Sequence, residues 1–184
     1  MHALLFAALL SSGSQACDLA GVTLPDSISL AGQTLTLNGM GLREFLFIDI
    51  YVGGMYLPTT TTSDTQAITA DVPKRMVMHF IYSEVTREQM IDTFKEGLDN
   101  NPDAKSMGDR AERLYSVMET CNSGDQVVLD YAPGTGLSIS LKGEVKDIIP
   151  GADFMEAVWM LFIGPVPPSK KLKKGLLNGC PGSS

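Results

Sequence analysis

The stretch Phe45 to Leu57, FLFIDIYVGGMYL, limits what this chain can become more than any other. Long, β-branched and aromatic, it reads as a central strand. Only Gly53-Gly54 interrupts it, and there a bulge or a close backbone approach is expected. A central strand needs partners, and Arg75 to Tyr82, RMVMHFIY, supplies a second buried strand.

The remaining elements follow from period and punctuation. Gly21 to Pro25 and Gln33 to Gly39 alternate apolar with polar residues and read as a small opening hairpin. Pro58 and Thr59 to Ser63 form a polar loop. Thr86-Arg87-Glu88-Gln89 is a capping box, and Met90, Ile91, Phe94 and Leu98 give the helix behind it an apolar stripe. A second helix follows Asn101-Pro102, with Met107, Ala111, Leu114, Tyr115 and Met118 at helical spacing. Asp125 to Leu141 reads as a hairpin around Pro133-Gly134-Thr135-Gly136. A third helix carries Phe154, Ala157, Val158, Leu161 and Phe162, and a fourth, starting at Pro167-Pro168-Ser169, buries Leu172 and Leu176 beneath its lysines. Antiparallel strands with helices inserted in blocks predict an α+β fold, a sheet with helices packed on one face.

Met1 to Ala16 contains no acid, holds an apolar run from Ala3 to Leu10 and ends in Ser14-Gln15-Ala16, the small-x-small pattern of a signal peptidase site. Cleavage after Ala16 is expected, leaving residues 17–184 as one exported, periplasmic domain. The apolar run is about half the length needed to span a bilayer, so no integral membrane segment is expected in the mature chain. With 21 acids against 14 bases the formal net charge is −7. That balance excludes nucleic acid as a partner, because most of the surface would repel phosphates. Lys170, Lys171, Lys173 and Lys174 make the tail locally basic, a solvated helix face or a contact for anionic headgroups. Three cysteines remain in an oxidising compartment. Because Cys17 sits at the new N-terminus, the expected pair is Cys121 with Cys180. A lipoprotein reading of Cys17 is weakened by Ser14, where such signals carry Leu. Neither a CxxC nor a Cys/His cluster is present, and no metal or cofactor is expected.

Chemistry has few candidates. His79 is the single histidine left after export and lies in an apolar strand, so no Ser-His-Asp or Cys-His arrangement can be read. What stands out is long polar side chains on apolar strands. If residues 43 to 51 run extended, Arg43, Asp49 and Tyr51 share a face. Tyr82 continues the parity of Met76, Met78 and Phe80 and would reach the same space. A guanidinium beside phenols within apolar walls suits an anionic head on a hydrophobic body. The alternative is that Arg43 pairs with Glu44 or Asp49 while the tyrosines cap the core.

The run Gly39-Met40-Gly41-Leu42-Arg43 with Phe47 to Leu57, FIDIYVGGMYL, resembles the chalcone isomerase-like family, in its exported bacterial branch. Pro73-Lys74-Arg75, Tyr82-Ser83-Glu84-Val85-Thr86, Phe94-Lys95-Glu96-Gly97-Leu98 and the closing IGPVPPSKKLKKGLLNG extend the resemblance over nearly the whole mature chain. It implies an open-faced sandwich, a large antiparallel sheet with the ligand cleft between sheet and helices. It also implies one of two activities. True chalcone isomerases close a chalcone to a flavanone using an arginine and a tyrosine, whereas fatty-acid-binding relatives grip a carboxylate with an arginine and a tyrosine. Arg43 matches the shared arginine and Tyr82 the isomerase tyrosine. Tyr51 stands where isomerases place a threonine, as in the fatty-acid binders. No asparagine follows Tyr82 at the isomerase position.

The expectation is therefore a noncatalytic binder of a fatty acid or similar amphipathic anion, with Arg43, Tyr51 and Tyr82 as its ligand-binding residues. The alternatives are an isomerase-type intramolecular lyase using Arg43 and Tyr82, with a flavonoid-like ligand, and a ligand-free envelope interaction protein.

Overall fold

The computed structural model describes residues 16–101 and 107–180. The leader expected over Met1 to Ala16 lies outside them except for Ala16. A two-stranded hairpin, β1 (Ala16–Leu19) and β2 (Val22–Pro25), opens the fold. The main sheet holds β3 (Ser27–Leu30), β4 (Gln33–Phe45), β5 (Ile48–Leu57), β6 (Lys74–Phe80), β9 (Gln126–Ala132), β10 (Gly136–Leu141) and β11 (Glu144–Ile149). Their order is β11-β10-β9-β6-β5-β4-β3, every pair antiparallel. A short pair, β7 (Glu84–Val85) and β8 (Cys121–Asn122), stands apart. The helices are α1 (Asp64–Thr69), α2 (Arg87–Asn100), α3 (Gly108–Ser116), α4 (Ala152–Ile163) and α5 (Lys170–Leu177). None among the described residues is long and apolar enough to cross a membrane.

The two faces of the sheet are covered differently. The five helices among the described residues contribute to one core with the inward residues of β5, β6, β9 and β10, including Tyr51, Met76, Met78, Phe80 and Leu129. Helix α4 is central to it, burying eight of its residues from Phe154 to Ile163, as a helix apolar on nearly every side must. The opposite face of β4 to β6 packs against β1 and β2 through Cys17, Val22, Leu24, Met40, Val52 and Tyr56. The α+β expectation, with an antiparallel sheet and helices gathered on one face, holds.

Helix α5 lies directly on the backbone of β4. A Cβ on Gly41 would overlap the carbonyl of Leu172, and one on Gly175 would overlap the carbonyl of Met40. Only hydrogen fits at this crossing, so the glycine spacing in Gly39-Met40-Gly41 sets where the last helix docks. Asn38, buried beside a register shift in β4, fastens the helix end by donating to the Leu176 carbonyl at 2.8 Å.

Three expectations are corrected. Phe45 to Leu57 is not one strand: β4 ends at Phe45, β5 begins at Ile48, and Leu46 and Phe47 form the turn with φ of 47° and 69°. Two adjacent positive φ values characterise the tight hairpin turn that matches strand twist, normally filled by Asn-Gly. Second, the opening strands do not pair with each other; β2 pairs with β1, and β4 pairs with β3 and β5. Third, the disulfide joins Cys17 to Cys180, with Cα atoms 5.7 Å apart. Cys17 is held in β1 under the outer face, where Cys180 also packs, while Cys121 is a buried free thiol on the helical side. The sheet thus separates Cys121 from Cys180.

Candidate functional site

The hairpin turn at Leu46–Phe47 folds β4 back onto β5 and sets Arg43 directly opposite Tyr51. Residues opposed in an antiparallel pair share a face. They therefore meet, though across two strands and not along one extended segment. Asp49 falls opposite Glu44, on the exposed part of the hairpin. Tyr51 in turn lies opposite Phe80, ring centroids 5.6 Å apart at 56°.

Tyr51 is 3% exposed, and its hydroxyl has no hydrogen-bond partner among the described residues. Burial pushes its pKa well up, partly countered by the positive charge of Arg43. The phenol is thus a neutral donor at any physiological pH. The guanidinium of Arg43 donates to the Glu44 carbonyl, and its Cζ lies 5.8 Å from the Phe45 ring centroid. It forms no ion pair among the described residues, because the Glu44 carboxylate is taken by Lys171 at 2.6 Å. The structural alternative, Arg43 consumed by Glu44 or Asp49, is not the arrangement found.

Tyr82 is not brought into this group. Strand β6 stops at Phe80, both Ile81 and Tyr82 donate their N–H groups to the Ile50 carbonyl, and the Tyr82 side chain is 38% exposed without a hydrogen bond to Arg43 or Tyr51. His79 is structural: its Nδ1 lies 2.9 Å from Gln126 Nε2. Two surface concavities of about 260 and 200 Å³ lie against α5 and beside Pro58, and neither includes Arg43, Tyr51 or Tyr82. The first sets Lys171, Lys174 and Asn178 beside Leu19, Met40 and Leu42, but its Lys171 is already paired with Glu44, and neither lining holds a buried donor without an acceptor, as the Arg43–Tyr51 pair does. Behind Tyr51 the core is rich in methionine, with Met55, Met76 and Met78 from the sheet and Met90, Met118 and Met155 from elsewhere in the helical layer. Unbranched thioethers repack readily around an inserted chain.

Sequence reasoning missed Lys74. It shares the inward parity of Met76, Met78 and Phe80, so the period of two would have placed it in the core. The structure leaves it 0% exposed, donating to the carbonyls of Ala67 and Ile68 at 2.7 and 3.2 Å, where it ends α1, and lying 5.6 Å from the Trp159 ring centroid. Burial lowers its pKa to about 8, opposed by Glu156 and Asp71. Between about pH 8 and 10.5 the unfolded chain therefore holds a proton that the folded chain has released, and stability from this group rises with pH. Relative to Lys74→Met, the wild type should gain on the order of 3 kcal/mol across that window. Urea unfolding of both proteins at pH 7 and pH 10.5 checks this; a constant difference would refute the lowered pKa.

The folded form is an open-faced α+β sandwich with an arginine and a buried tyrosine at one end of the helical face. A family model described as chalcone isomerase-like matches residues 16–178, and the chain belongs to that family. The fold is similar to the crystal structure of a fatty-acid binding protein from Arabidopsis thaliana, with a TM-score of 0.72 at 17% identity, over 89% of this chain and 96% of that one. No curated protein matches at the level of sequence.

Proposed function

We propose that the chain is an exported, noncatalytic binding protein for a fatty acid or a similar amphipathic carboxylate. The observation that carries this reading is the Arg43–Tyr51 pair: a guanidinium without a carboxylate partner next to a buried phenol without an acceptor, among the described residues. A carboxylate satisfies both. The likeness in fold to a fatty-acid binding protein supports it, as does a methionine-rich core able to admit an acyl tail. The disulfide supports an oxidising compartment. Tyr82, at the surface, would act at the rim. The tail, at about 0.8 kcal/mol per buried CH₂, dominates affinity, while the charge-assisted head contacts add roughly 1.5–3 kcal/mol and fix orientation.

Arg43→Met should therefore weaken binding of a long-chain fatty acid roughly ten- to a hundredfold, while leaving the melting temperature of the delipidated protein unchanged or raised. No charge is stranded by removing one that has no ionic partner. Isothermal titration with a fatty acid, alongside melting curves of the delipidated proteins, tests both halves. Equal affinity of wild type and variant, or a wild type that binds no fatty acid and yields none on solvent extraction, would overturn the proposal.

A further inference from the structure

The tip of the β4–β5 hairpin is built against the usual logic of a surface turn. Phe45, Leu46, Phe47 and Ile48 are consecutive and all exposed, Phe47 completely at 102% and Leu46 at 74%. The two central residues hold positive φ, a conformation that Asn or Gly adopts readily and a bulky side chain resists. A chain that needed only to reverse direction here would gain stability from Asn-Gly. Leu-Phe accepts strain in order to display apolar surface, which points to a use for that surface.

The surroundings indicate what it meets. Helix α5 runs beside β4 with its N-terminal end toward the tip, and Lys171 reaches Glu44, the residue before Phe45. Lys170 and Lys171 are both exposed. Of the two acids on the hairpin, Glu44 is neutralised by Lys171 and Asp49 remains free among the described residues. In a chain of net charge −7, Arg43, Lys170 and Lys171 here outnumber the hairpin's two acids, Glu44 and Asp49, so the tip is locally basic toward an anionic surface. The exposed Tyr82, tied by its backbone to Ile50, stands at the same end of the sheet. A convex apolar tip flanked by lysines and a tyrosine matches the graded polarity of a bilayer interface.

We infer that the hairpin tip Phe45–Ile48 inserts into the surface of an anionic lipid bilayer, with Lys170 and Lys171 against the headgroups. Docking of this kind would bring the Arg43–Tyr51 end to the membrane, yet it does not depend on the ligand reading, since the tip and Arg43 can be altered separately.

Flotation with vesicles of phosphatidylcholine alone and of phosphatidylcholine with phosphatidylglycerol tests the inference. The wild type should float with the anionic vesicles and lose binding in high salt. The double variant Leu46→Asn, Phe47→Gly should melt no lower than wild type and bind more than roughly tenfold more weakly. Lys170→Gln with Lys171→Gln should lose roughly fivefold per lysine. Phe47→Trp should shift its emission to the blue on adding anionic vesicles, against the constant signal of the buried Trp159. Arg43→Met should lose no more than the roughly fivefold expected of one cation near the headgroups. Absence of wild-type flotation, equal flotation of the Asn-Gly variant, or an emission from Phe47→Trp that vesicles leave unmoved would overturn the inference. So would sedimentation equilibrium showing that the wild type self-associates and the Asn-Gly variant does not, which would assign the tip to a second copy of the chain.

Discussion

Replacing Cys17 and Cys180 together with alanine should lower the unfolding free energy by about 5 kcal/mol, the largest effect expected of any small change to this chain. The bond closes a loop with a sequence separation of 163, and the entropy it withholds from the unfolded chain grows with the logarithm of that length. Domains of this size are commonly stable by only about 5–15 kcal/mol, so the loss is a large fraction of the total. The damage should also be local. Without the bond, β1 has only β2 and the outer apolar layer to hold it, and amide exchange in Ala16–Pro25 should rise before the rest of the sheet. Urea unfolding of the oxidised wild type and the double variant measures the first effect; a drop below about 1 kcal/mol would show that the ends are held by packing alone.

Gly175→Ala offers a second large effect, and its sign separates two arguments. On helix propensity alone, alanine in α5 should stabilise by about 1 kcal/mol. The new methyl group, however, would overlap the Met40 carbonyl and crowd the Gly41 Cα, both backbone atoms with nowhere to turn. Overpacking of this kind costs typically about 1–3 kcal/mol. Because the obstacle is main chain, the variant should fall at the upper end of that range, with α5 lifted from β4 and Leu172 and Leu176 partly exposed. Gly41→Ala, overlapping Leu172 from the other side, should behave alike. A thermal melt at or above the wild-type temperature for Gly175→Ala would mean that the helix does not rest on the strand.

Much of this arrangement is legible in the sequence where one physical signal dominates. The capping box at Thr86 starts α2, with Thr86 and Gln89 bonded reciprocally as the pattern demands. The parity of Met76, Met78 and Phe80 places those residues on the helical core, and Leu172 and Leu176 are buried as their spacing requires. Gly53-Gly54 marks close approach and not a bulge: a Cβ on Gly53 would stand 2.8 Å from Leu172 Cδ1, while the register through both glycines is unbroken. The β4–β5 turn is hidden because it contains no Gly, Asn, Asp or Pro, the residues by which turns announce themselves. Strands β3 and β11 are short and at the sheet edges, where alternation is brief and weak. The disulfide partner of Cys180 is not legible because spacing carries no information on connectivity. For the site, Arg43 and Tyr51 do share a face, but the reason is cross-strand register. Tyr82 misses the group because β6 ends two residues short of it.

Synthesis adds an order in time to the bond that ties the two ends. Cys180 emerges last, so Cys17 and Cys121 are both present as thiols before the native partner of either end exists. A premature Cys17–Cys121 link would pin β1 to the wrong side of the sheet. Once the helical core closes over Cys121, burial pushes its thiol up to about 11, leaving about one molecule in ten thousand as thiolate at neutral pH. We expect thiol trapping during oxidative refolding to find Cys121 protected before Cys17 and Cys180 disappear; the reverse order would refute this. The protein is then a chain whose ends are joined only after its middle has become chemically silent.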